Sequence, residues 1–494
     1  MSCRNCGFVP EPQPQNTNRS DSLVSQILRG SRPLLDPDHA LLSAEIVELE
    51  QLQSLYATQL EEIPLCRCAV LKALENRRSI YAPIRLLPRD ILIEIFHSVC
   101  DSWWEEADDY WRLGQRRHSL DVSGPLWVLG RVCGLWRDTL HSSPASWARK
   151  LVVQAPFSKY APEILQTYLE HTGEHLLHLH VNCTERTQDD SIILSLLVQS
   201  YPRWKNLRIN AAQLHMRHFE SISQFPVLQE IDINVYDGYS SDDGSDMYLR
   251  APQLWRAILR GHRLHQIKLP LGITHLSGTI TGPEDLHRLS QLRNLRRCHL
   301  WMSLDMVGRE APVMAVAQLT HLYVDRADIL KSLFAPLLSS LTIGRFPAGP
   351  RSSSAQESIT RFLHRSRCHL ESLSVSKAIF TSATPSRVFA LEACSTISRL
   401  KLELDPRMIN GIVEALTSPS VLPNLHHLIL CISRHLKDEW AAIIGMVRSR
   451  RDAGSLKLVE VQFKVEAYER FCEEDIRALT RDDFEMRIEK WDPP

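Results

Sequence analysis

The fold is decided by the stretch ISRLKLELDPRMINGIVEALTSPSVLPNLHHLIL, residues 397–430. An apolar-x-x-apolar-x-apolar pattern stands at its start, in Ile397, Leu400 and Leu402, and returns at its end, in residues 425–430. Each pattern indicates a short strand, because residues two apart lie on the same side of a strand. Between them, RMINGIVEAL (residues 407–416) is a helix-like stretch. Strands that alternate with helices predict a parallel sheet, since parallel neighbours need a crossover connection.

The same apolar pattern occurs eleven times after residue 150, at steps of 19 to 36 residues. The copies begin at Leu176, Trp204, Leu228, Leu264, Leu295, Leu319, Leu338, Leu370, Ile397, Leu425 and Leu456. Helix-like stretches separate several of them, for example residues 251–262 and 357–366. One strand–helix unit cannot bury its apolar side alone and must stack on its neighbours. Residues 151–494 are therefore predicted to form an α/β solenoid with parallel strands inside and helices outside.

Composition and charge exclude several classes of protein. The chain of 494 residues has a formal net charge of -1, from 57 basic and 58 acidic residues, so no global basic surface points to nucleic acid. The start, MSCRNCGFVPEPQPQ, lacks the apolar segment of a secretory signal. We find no apolar run near the length of a membrane span, about 18 residues. The protein is expected in the cytoplasm, the nucleus or both, without membrane contact.

The N-terminal part has two sections. Residues 1–38 are polar and proline-rich and are predicted to be disordered. Residues 39–80 are predicted to form an amphipathic helix, interrupted near Pro64. Its apolar positions recur about every 3.5 residues, at Leu42, Ile46, Leu49, Tyr56, Leu60 and Ile63. We expect this helix to pack on the following domain; dimerisation as a short coiled coil is the alternative.

Two further helices are predicted between residues 83 and 150. The first begins in IRLLPRDILIEIF (84–96), where Pro88 and Asp90 suit the first turn, and is expected to end near Cys100. Residues 101–124 break the pattern with mixed acids, bases and aromatic residues. A second helix follows from residue 125 and stops at Pro144, after which the chain is expected to be extended. Its apolar stripe consists of Leu129, Val132, Cys133, Trp136 and Leu140.

Residues 83–150 resemble an F-box domain, which is all-helical. The family pattern is, in outline, L-P-x-E-I-L-x-x-I-F, a variable loop, V-C-x-x-W-R and L-W. The matching positions are Leu87-Pro88, Ile91-Leu92, Ile95-Phe96, Val132-Cys133, Trp136-Arg137 and Trp147. Asp90 stands where glutamate is usual, and Ser146 where leucine often precedes the last tryptophan. The preceding helix and the leucine-rich remainder also resemble the F-box proteins of mushroom-forming fungi.

The resemblance implies a partner. An F-box docks onto a Skp-type adaptor, which bridges to a cullin–RING ubiquitin ligase, while the remaining domain selects an as yet unknown protein substrate. A helical domain of about 65 residues is near the lower limit for a self-sufficient core, so an adaptor would supply part of its burial. Val132, Trp136 and Trp147 are expected to fix helix packing as well. The adaptor-binding residues implied are Leu87, Pro88, Ile91, Leu92, Ile95, Phe96, Val132 and Trp136. The alternative is an interaction scaffold that recruits no ligase.

The repeats resemble an irregular form of leucine-rich repeat, because the regular asparagine of that family is missing. In such repeats the residues between the apolar positions project from the inner face. The predicted substrate-binding residues there are His178, His180, Arg208, Lys268, Arg297, His299, His321, Tyr323, Arg399 and Lys401, beside Asn206, Glu230, Asp232, Gln266 and His427. This set is rich in His, Arg and Lys, which favours an acidic or phosphorylated segment of a partner protein.

No motif for catalysis or cofactor binding is present. We find no phosphate-binding loop, dinucleotide fingerprint or nucleophile elbow, so the chain is predicted not to be an enzyme and to bind no cofactor. His171, His175, His178 and His180 are not expected to bind metal, because Gly173 should end the helix before they converge. Cys3 and Cys6 have half the spacing of a zinc ribbon, which Cys66 and Cys68 would have to complete; a frayed N-terminal tail is the preferred interpretation.

Overall fold

The computed structural model describes residues 20–110, 117–183, 188–236, 246–303, 306, 311–344, 352–376, 388–404, 409–432, 437–463, 477–480 and 484–490. The chain divides into two compact units, Met1–Pro88 and Arg89–Pro494. Cys3 and Cys6 lie outside the described residues. The finer division at residues 38, 80 and 150 stays a prediction.

The first unit is helical. It contains α1 (Asp21–Leu28), α2 (Asp36–Ile80) and a 3-10 helix, Pro83–Leu86. The prediction of disorder up to residue 38 is wrong for residues 20–38, where Arg32 forms an ion pair with Asp38 at 2.9 Å. The predicted interruption at Pro64 is also wrong, because α2 continues through it. A proline removes one hydrogen bond from a helix, and the turns on either side can hold the helix together across it.

Four helices begin the second unit: α3 (Arg89–Tyr110), α4 (Pro125–Val132), α5 (Gly134–His141) and α6 (Pro144–Ala148). The first of them runs past its expected end at Cys100. The single helix expected from residue 125 is split at Cys133, whose backbone is extended with φ -161° and ψ 170°. Pro144 does not end helical structure, since it begins α6.

A sheet of fourteen parallel strands follows, and the strands lie side by side in chain order among the described residues. Its strands are β1 (Leu151–Gln154), β2 (Leu177–Cys183), β3 (Trp204–Ala211), β4 (Glu230–Val235), β5 (Arg256–Arg260), β6 (His275–Ile280), β7 (Arg297–Met302), β9 (His321–Val324), β11 (Ser340–Ile343), β12 (Ser372–Val375), β13 (Arg399–Leu404), β14 (His427–Ile432), β15 (Leu458–Phe463) and β16 (Glu485–Lys490). The two remaining strands, β8 (Met314–Ala315) and β10 (Leu333–Phe334), pair only with each other.

Helices connect many of these strands and cover one face of the sheet. They are α7 (Ala161–His171), α8 (Gln188–Gln199), α9 (Gln213–Glu220), α10 (Pro283–Gln291), α11 (Ser352–Ser366), α12 (Ile409–Thr417) and α13 (Lys437–Asp452). Shorter 3-10 helices take their place elsewhere, as at Leu264–Gln266 and Ala327–Ser332. The protein is therefore of the α/β class, as predicted.

Alternate residues of the strands form the core. One row runs through paired positions of successive strands, from Leu179 on β2 through Leu207, Ile231, Ala257, Leu276, Cys298, Leu322, Leu341, Leu373, Leu400, Leu428 and Val459 to Met486 on β16. All of these side chains are buried. A shift by one residue would turn the whole row to the opposite face, so burial fixes the register.

Ten of the eleven sequence copies coincide with strands, and the copy at Leu264 does not. Leu264 begins a 3-10 helix, although Leu264, Ile267 and Leu269 are buried. The stretch 251–262, predicted to be helical, instead contains β5, and β6 follows where no strand was predicted. Strands β5 and β6 carry weak versions of the pattern, with alanine at 257 and glycine at 278. Strand β16 and the short strands β8 and β10 were not predicted either. Gly278 has a packing role, since a Cβ there would lie 2.6 Å from the Leu264 side chain.

Four buried or half-buried arginines each join one unit of the stack to the preceding one. Arg203 donates to the Thr172 hydroxyl at 2.9 Å, and Arg250 donates to the Glu220 carbonyl at 2.9 Å. Arg365 donates to the Leu330 and Leu333 carbonyls, and Arg450 to those of Leu416, Val421 and Leu422. Carbonyls at a helix end have no partner within their own helix. Each arginine thus satisfies acceptors that the preceding unit leaves open.

The edge of β1 that does not pair with β2 is hydrogen-bonded to a residue that precedes it in the chain. Ser119 donates its backbone N–H to the Val152 carbonyl at 2.8 Å and accepts the Val152 N–H on its hydroxyl at 2.9 Å. Trp127 donates its indole N–H to the Ser119 carbonyl at 2.9 Å. Residues near the end of the 101–124 insert therefore occupy the edge of β1.

We expect Arg450→Leu to lower the free energy of unfolding by about 2–5 kcal/mol, because it leaves buried carbonyls without a donor. Urea denaturation of the full chain measures the change. Arg448→Leu is the matched control, since Arg448 is exposed on the same helix, and its effect should stay within about 0.5 kcal/mol. Equal effects of the two substitutions would show that the arginine–carbonyl bonds contribute little.

Candidate protein-interaction surfaces

Apolar side chains remain accessible on the helices that begin the second unit. Ile91 on α3 is 44% exposed, and Val128 and Val132 on α4 are 46% and 55% exposed. Ile95 and Trp136 are half-buried. These five residues are called the helical patch below. Helix α3 packs against α4 and α5, and the rings of Phe96 and Trp136 lie 5.0 Å apart, so the helices form one packed group.

Two predictions for this region need correction. Leu92 and Phe96, assigned to the adaptor surface, are 0% exposed and belong to the core. They lie one residue after Ile91 and Ile95, and a helix turns about 100° per residue, which carries them to the inner side. Val132, expected to fix helix packing, is instead exposed. Leu87 and Pro88 belong to the first unit, where Leu87 is half-buried and Pro88 exposed.

Trp147 fixes packing as predicted. It is 3% exposed, and its ring lies 5.3 Å from that of Trp127 on α4 and 5.1 Å from that of Tyr168 on α7. The indole N–H of Trp147 donates to the Leu140 carbonyl at 3.3 Å. Aromatic pairs at such distances prefer edge-to-face arrangements, which these are. The cluster joins the helices that carry the patch to the first helix of the sheet region.

The second surface is the face of the sheet opposite to the buried rows, called the open face below. Two rows of side chains cross it in register. The first row is His178, Asn206, Glu230, Arg256, His275, Arg297, His321, Ser340, Ser372, Arg399 and His427. The second is His180, Arg208, Asp232, Ile258, Ser277, His299, Tyr323, Thr342, Ser374 and Lys401.

Lys268 and Gln266 do not lie in these rows, contrary to prediction, because residues 264–269 do not form a strand of the sheet. Lys268 instead forms an ion pair with Asp246 at 2.9 Å. Their expected places are taken by Arg256 and Ile258 of β5. Arg256 and His275 were missed with their strands. The weak patterns Leu254-x-x-Ala257-x-Leu259 and Ile273-x-x-Leu276-x-Gly278 were the signal that could have found them.

Charges on β3, β4 and β5 are paired. Arg208 lies 3.3 Å from Asp232, and Arg256 lies 3.3 Å from Glu230. Both rows and the exposed Arg149 and Lys150 line a cavity of about 520 Å³ in this part of the open face. Exposed ion pairs contribute little stability, up to about 1 kcal/mol each, and exchange partners at low cost. This part of the face therefore offers both signs of charge to a partner.

The middle of the open face is aromatic and contains neutral histidines. The ring of His299 lies 3.7 Å from that of Tyr323 and 4.2 Å from that of Trp301, and Arg260 lies over the Trp301 ring at 5.5 Å. Burial, assisted by the Arg260 charge, lowers the pKa of His299 to about 4. Burial also lowers the pKa of His178, His275, His321 and His427. These side chains are therefore uncharged at neutral pH, so the expected positive charge of the histidines is absent.

Positive charge on this face comes instead from arginines and lysines, three of which have no carboxylate partner among the described residues. Among the described residues, no carboxylate lies within ion-pair distance of Arg297, Arg399 or Lys401. Arg297 is exposed and has His275 and His321 beside it on the neighbouring strands. At the far end of the sheet, Glu460 pairs with His427 at 2.9 Å and with Arg487 at 3.7 Å. The unpaired cations are therefore in the middle and towards the far end.

No metal centre is found in the described part of the chain, where no three or more His, Cys, Asp or Glu side chains are grouped to hold an ion. His171 stacks against His141 at 4.7 Å, and Cys66 and Cys68 are exposed on α2. Burial raises the pKa of the Cys183, Cys298 and Cys394 thiols to about 12, which disfavours the reactive thiolate. None of the helices within the described ranges has the length and apolar character that crossing a membrane requires.

A scan against protein-family models found no family that matches this chain. A search of the curated proteins found no match either.

We expect the free energy of unfolding to fall as the pH is lowered from 6.5 towards 4. Burial lowers the pKa of His262 to about 4, as it does for His299, against an ordinary value of 6.5. The unfolded chain therefore binds more protons in this window, and each histidine contributes at most about 1.4 kcal/mol per pH unit. Urea denaturation between pH 4 and 7 measures the slope.

The double substitution His262→Gln with His299→Gln should flatten this dependence. His369→Gln, at an exposed position, should leave it as in the wild type. An unchanged slope in the double variant would contradict the assignment to these two side chains.

Proposed function

We propose that the chain is the substrate-recognition subunit of a Skp–cullin–F-box-type ubiquitin ligase. The observation that carries the proposal is that the F-box-like motif of residues 83–150 coincides with the helical patch, whose apolar side chains remain accessible. In this proposal residues 151–494 are an irregular leucine-rich-repeat-like solenoid that binds the target protein. The chain itself carries out no catalytic step.

The helical patch supports the adaptor half of the proposal. Ile91, Val128 and Val132 each leave about half of the side chain in water. Covering such groups is favourable in proportion to the apolar area removed from water, at about 25 cal/mol per Å². Leu92, Phe96 and Trp147 hold the helices together underneath, so the patch is presented on a packed base. A Skp-type adaptor with a complementary apolar groove would supply the missing cover.

The open face supports the target half. It presents Arg297 near the rings of Trp301 and Tyr323, and Arg399 and Lys401 on β13, three strands beyond Tyr323. None of these three cations has a carboxylate partner among the described residues. Arginine and aromatic side chains are enriched where proteins bind proteins, because they combine contact area with directional polar groups. A partner segment with carboxylate or phosphate groups fits this surface. Because the nearby histidines are neutral, the guanidinium and ammonium groups are the expected anchors.

Ile91→Asp with Val132→Asp should abolish capture of the Skp-type adaptor, since both replace exposed apolar groups with charges that the complex would bury. Co-purification of the full chain with the adaptor measures this. Leu271→Asp is the control, because Leu271 is 71% exposed in the sheet region, away from the patch. Capture by the control and loss in the double variant are expected. If the wild type captures no adaptor, the chain is a scaffold that recruits no ligase.

Arg297→Asp should remove most of the proteins that the wild type captures through the open face, because it reverses an unpaired charge there. Quantitative mass spectrometry of proteins captured by each variant measures the loss. The matched control is Arg293→Asp, at an exposed position just after α10 and off the strands. Identical captured sets for the two variants would argue against the open face as the target surface.

A further inference from the structure

Helix α2, the longest helix among the described residues, has an apolar stripe that is exposed to water. Helix α2 spans Asp36–Ile80, which at 1.5 Å per residue is about 67 Å long. Between Ile46 and Leu74, its apolar stripe residues are 40–70% exposed. These are Ile46, Leu49, Tyr56, Leu60, Ile63, Val70 and Leu74. A stripe of this length on one helix is far larger than the scattered apolar residues of an ordinary surface.

The stripe has the spacing of a coiled coil. Its positions alternate by four and three residues: Leu42, Ile46, Leu49, Gln53, Tyr56, Leu60, Ile63, Arg67, Val70 and Leu74. A repeat of 3.5 residues keeps the same stripe against a partner helix, and more than four heptads are present, where three or four suffice to indicate a coiled coil. Pro64 lies beside this seam and not in it.

Charge is divided unequally along α2. From residue 36 to 62 there is no Lys or Arg, and the acids include Asp36, Asp38, Glu45, Glu48, Glu50 and Glu62. From residue 63 to 80 the charged residues are Arg67, Lys72, Arg77 and Arg78 against Glu75. A second copy in the opposite direction would bring each acidic half against a basic half. A parallel copy would bring like charges together.

The seam positions agree with the antiparallel direction. The pairs Leu42–Leu74, Ile46–Val70, Gln53–Ile63 and Tyr56–Leu60 are each symmetric about Thr58, the midpoint of the helix. The fifth pair sets Arg67 against Leu49 of the second copy, in the acidic half of that helix, which contains Glu48 and Glu50. In a parallel pair Arg67 would meet the same cation of the other copy inside the seam. Only the antiparallel direction avoids this repulsion.

We propose that α2 forms an antiparallel two-stranded coiled coil with a second copy of this chain, centred on Thr58. The two-fold axis passes through the midpoint of the helix, and both ends of α2 overlap fully. The proposal is independent of the proposed ligase function, because it involves neither the helical patch nor the open face.

Light scattering coupled to size-exclusion chromatography tests the assembly on the full chain at micromolar concentration. The wild type should have twice the chain mass of 56.6 kDa. Ile46→Glu with Leu60→Glu, both in the seam, should give the single-chain mass. The matched control is Leu41→Glu with Val47→Glu, since these residues are 50% and 51% exposed on another side of α2, and it should remain dimeric. A wild type that stays at the single-chain mass overturns the proposal, as does a control that dissociates like the seam variant.

Disulfide formation tests the direction. Cys3, Cys6, Cys66 and Cys68 are first replaced by serine, and Leu42→Cys and Leu74→Cys are introduced into separate chains. In the antiparallel pair, a linked dimer forms when the two variants are mixed and oxidised, and neither variant alone forms one. Linked dimers of Leu42→Cys alone indicate a parallel pair and overturn the proposal. Non-reducing electrophoresis separates these outcomes.

Discussion

Each strand of this protein can bury its inward side chains only between the strands before and after it. The row from Leu179 to Met486 shows this constraint, because every member occupies the paired position of its neighbour. Register, strand order and the direction of the open face all follow from that row. Arginines such as Arg365 and Arg450 reinforce the same step-by-step stacking, since they join helix ends of adjacent units through carbonyl groups. Without this buried row, the side chains of the two open-face rows would not line up from one strand to the next.

Most of the α/β architecture could be predicted from spacing, because leucine, isoleucine or valine marks ten of the strands. Strands β5, β6 and β16 were missed. In β5 and β6 the apolar signal is weak because alanine stands at 257 and glycine at 278, where the Leu264 side chain fills the space. The positions of the open-face residues could be predicted wherever their strands were predicted. Their charge could not be predicted in the same way, because the pKa of His299 depends on its burial and on the charge of Arg260, which lies on another strand. Likewise, the side of α3 that faces inward is set by its packing on α4 and α5, and a short motif does not contain that information.

The helices of the second unit and the sheet region share one hydrophobic cluster through Trp127, Trp147 and Tyr168. A surface on α3 and α4 and a surface on the strands are therefore presented by one continuous body. For a protein that holds one partner in position relative to another, such continuity matters, because a loose joint would dilute one partner with respect to the other. The proposed ligase function requires this property.

The two ends of the described sheet differ from each other. The free edge of β1 is occupied by Ser119, and the last described strand, β16, has charged side chains at Glu485 and Arg487. A stack of parallel strands has no intrinsic reason to stop, and an uncovered end would accept the first strand of another molecule. The two hydrogen bonds between Ser119 and Val152 occupy edge groups of β1 and so disfavour the addition of another strand at that end.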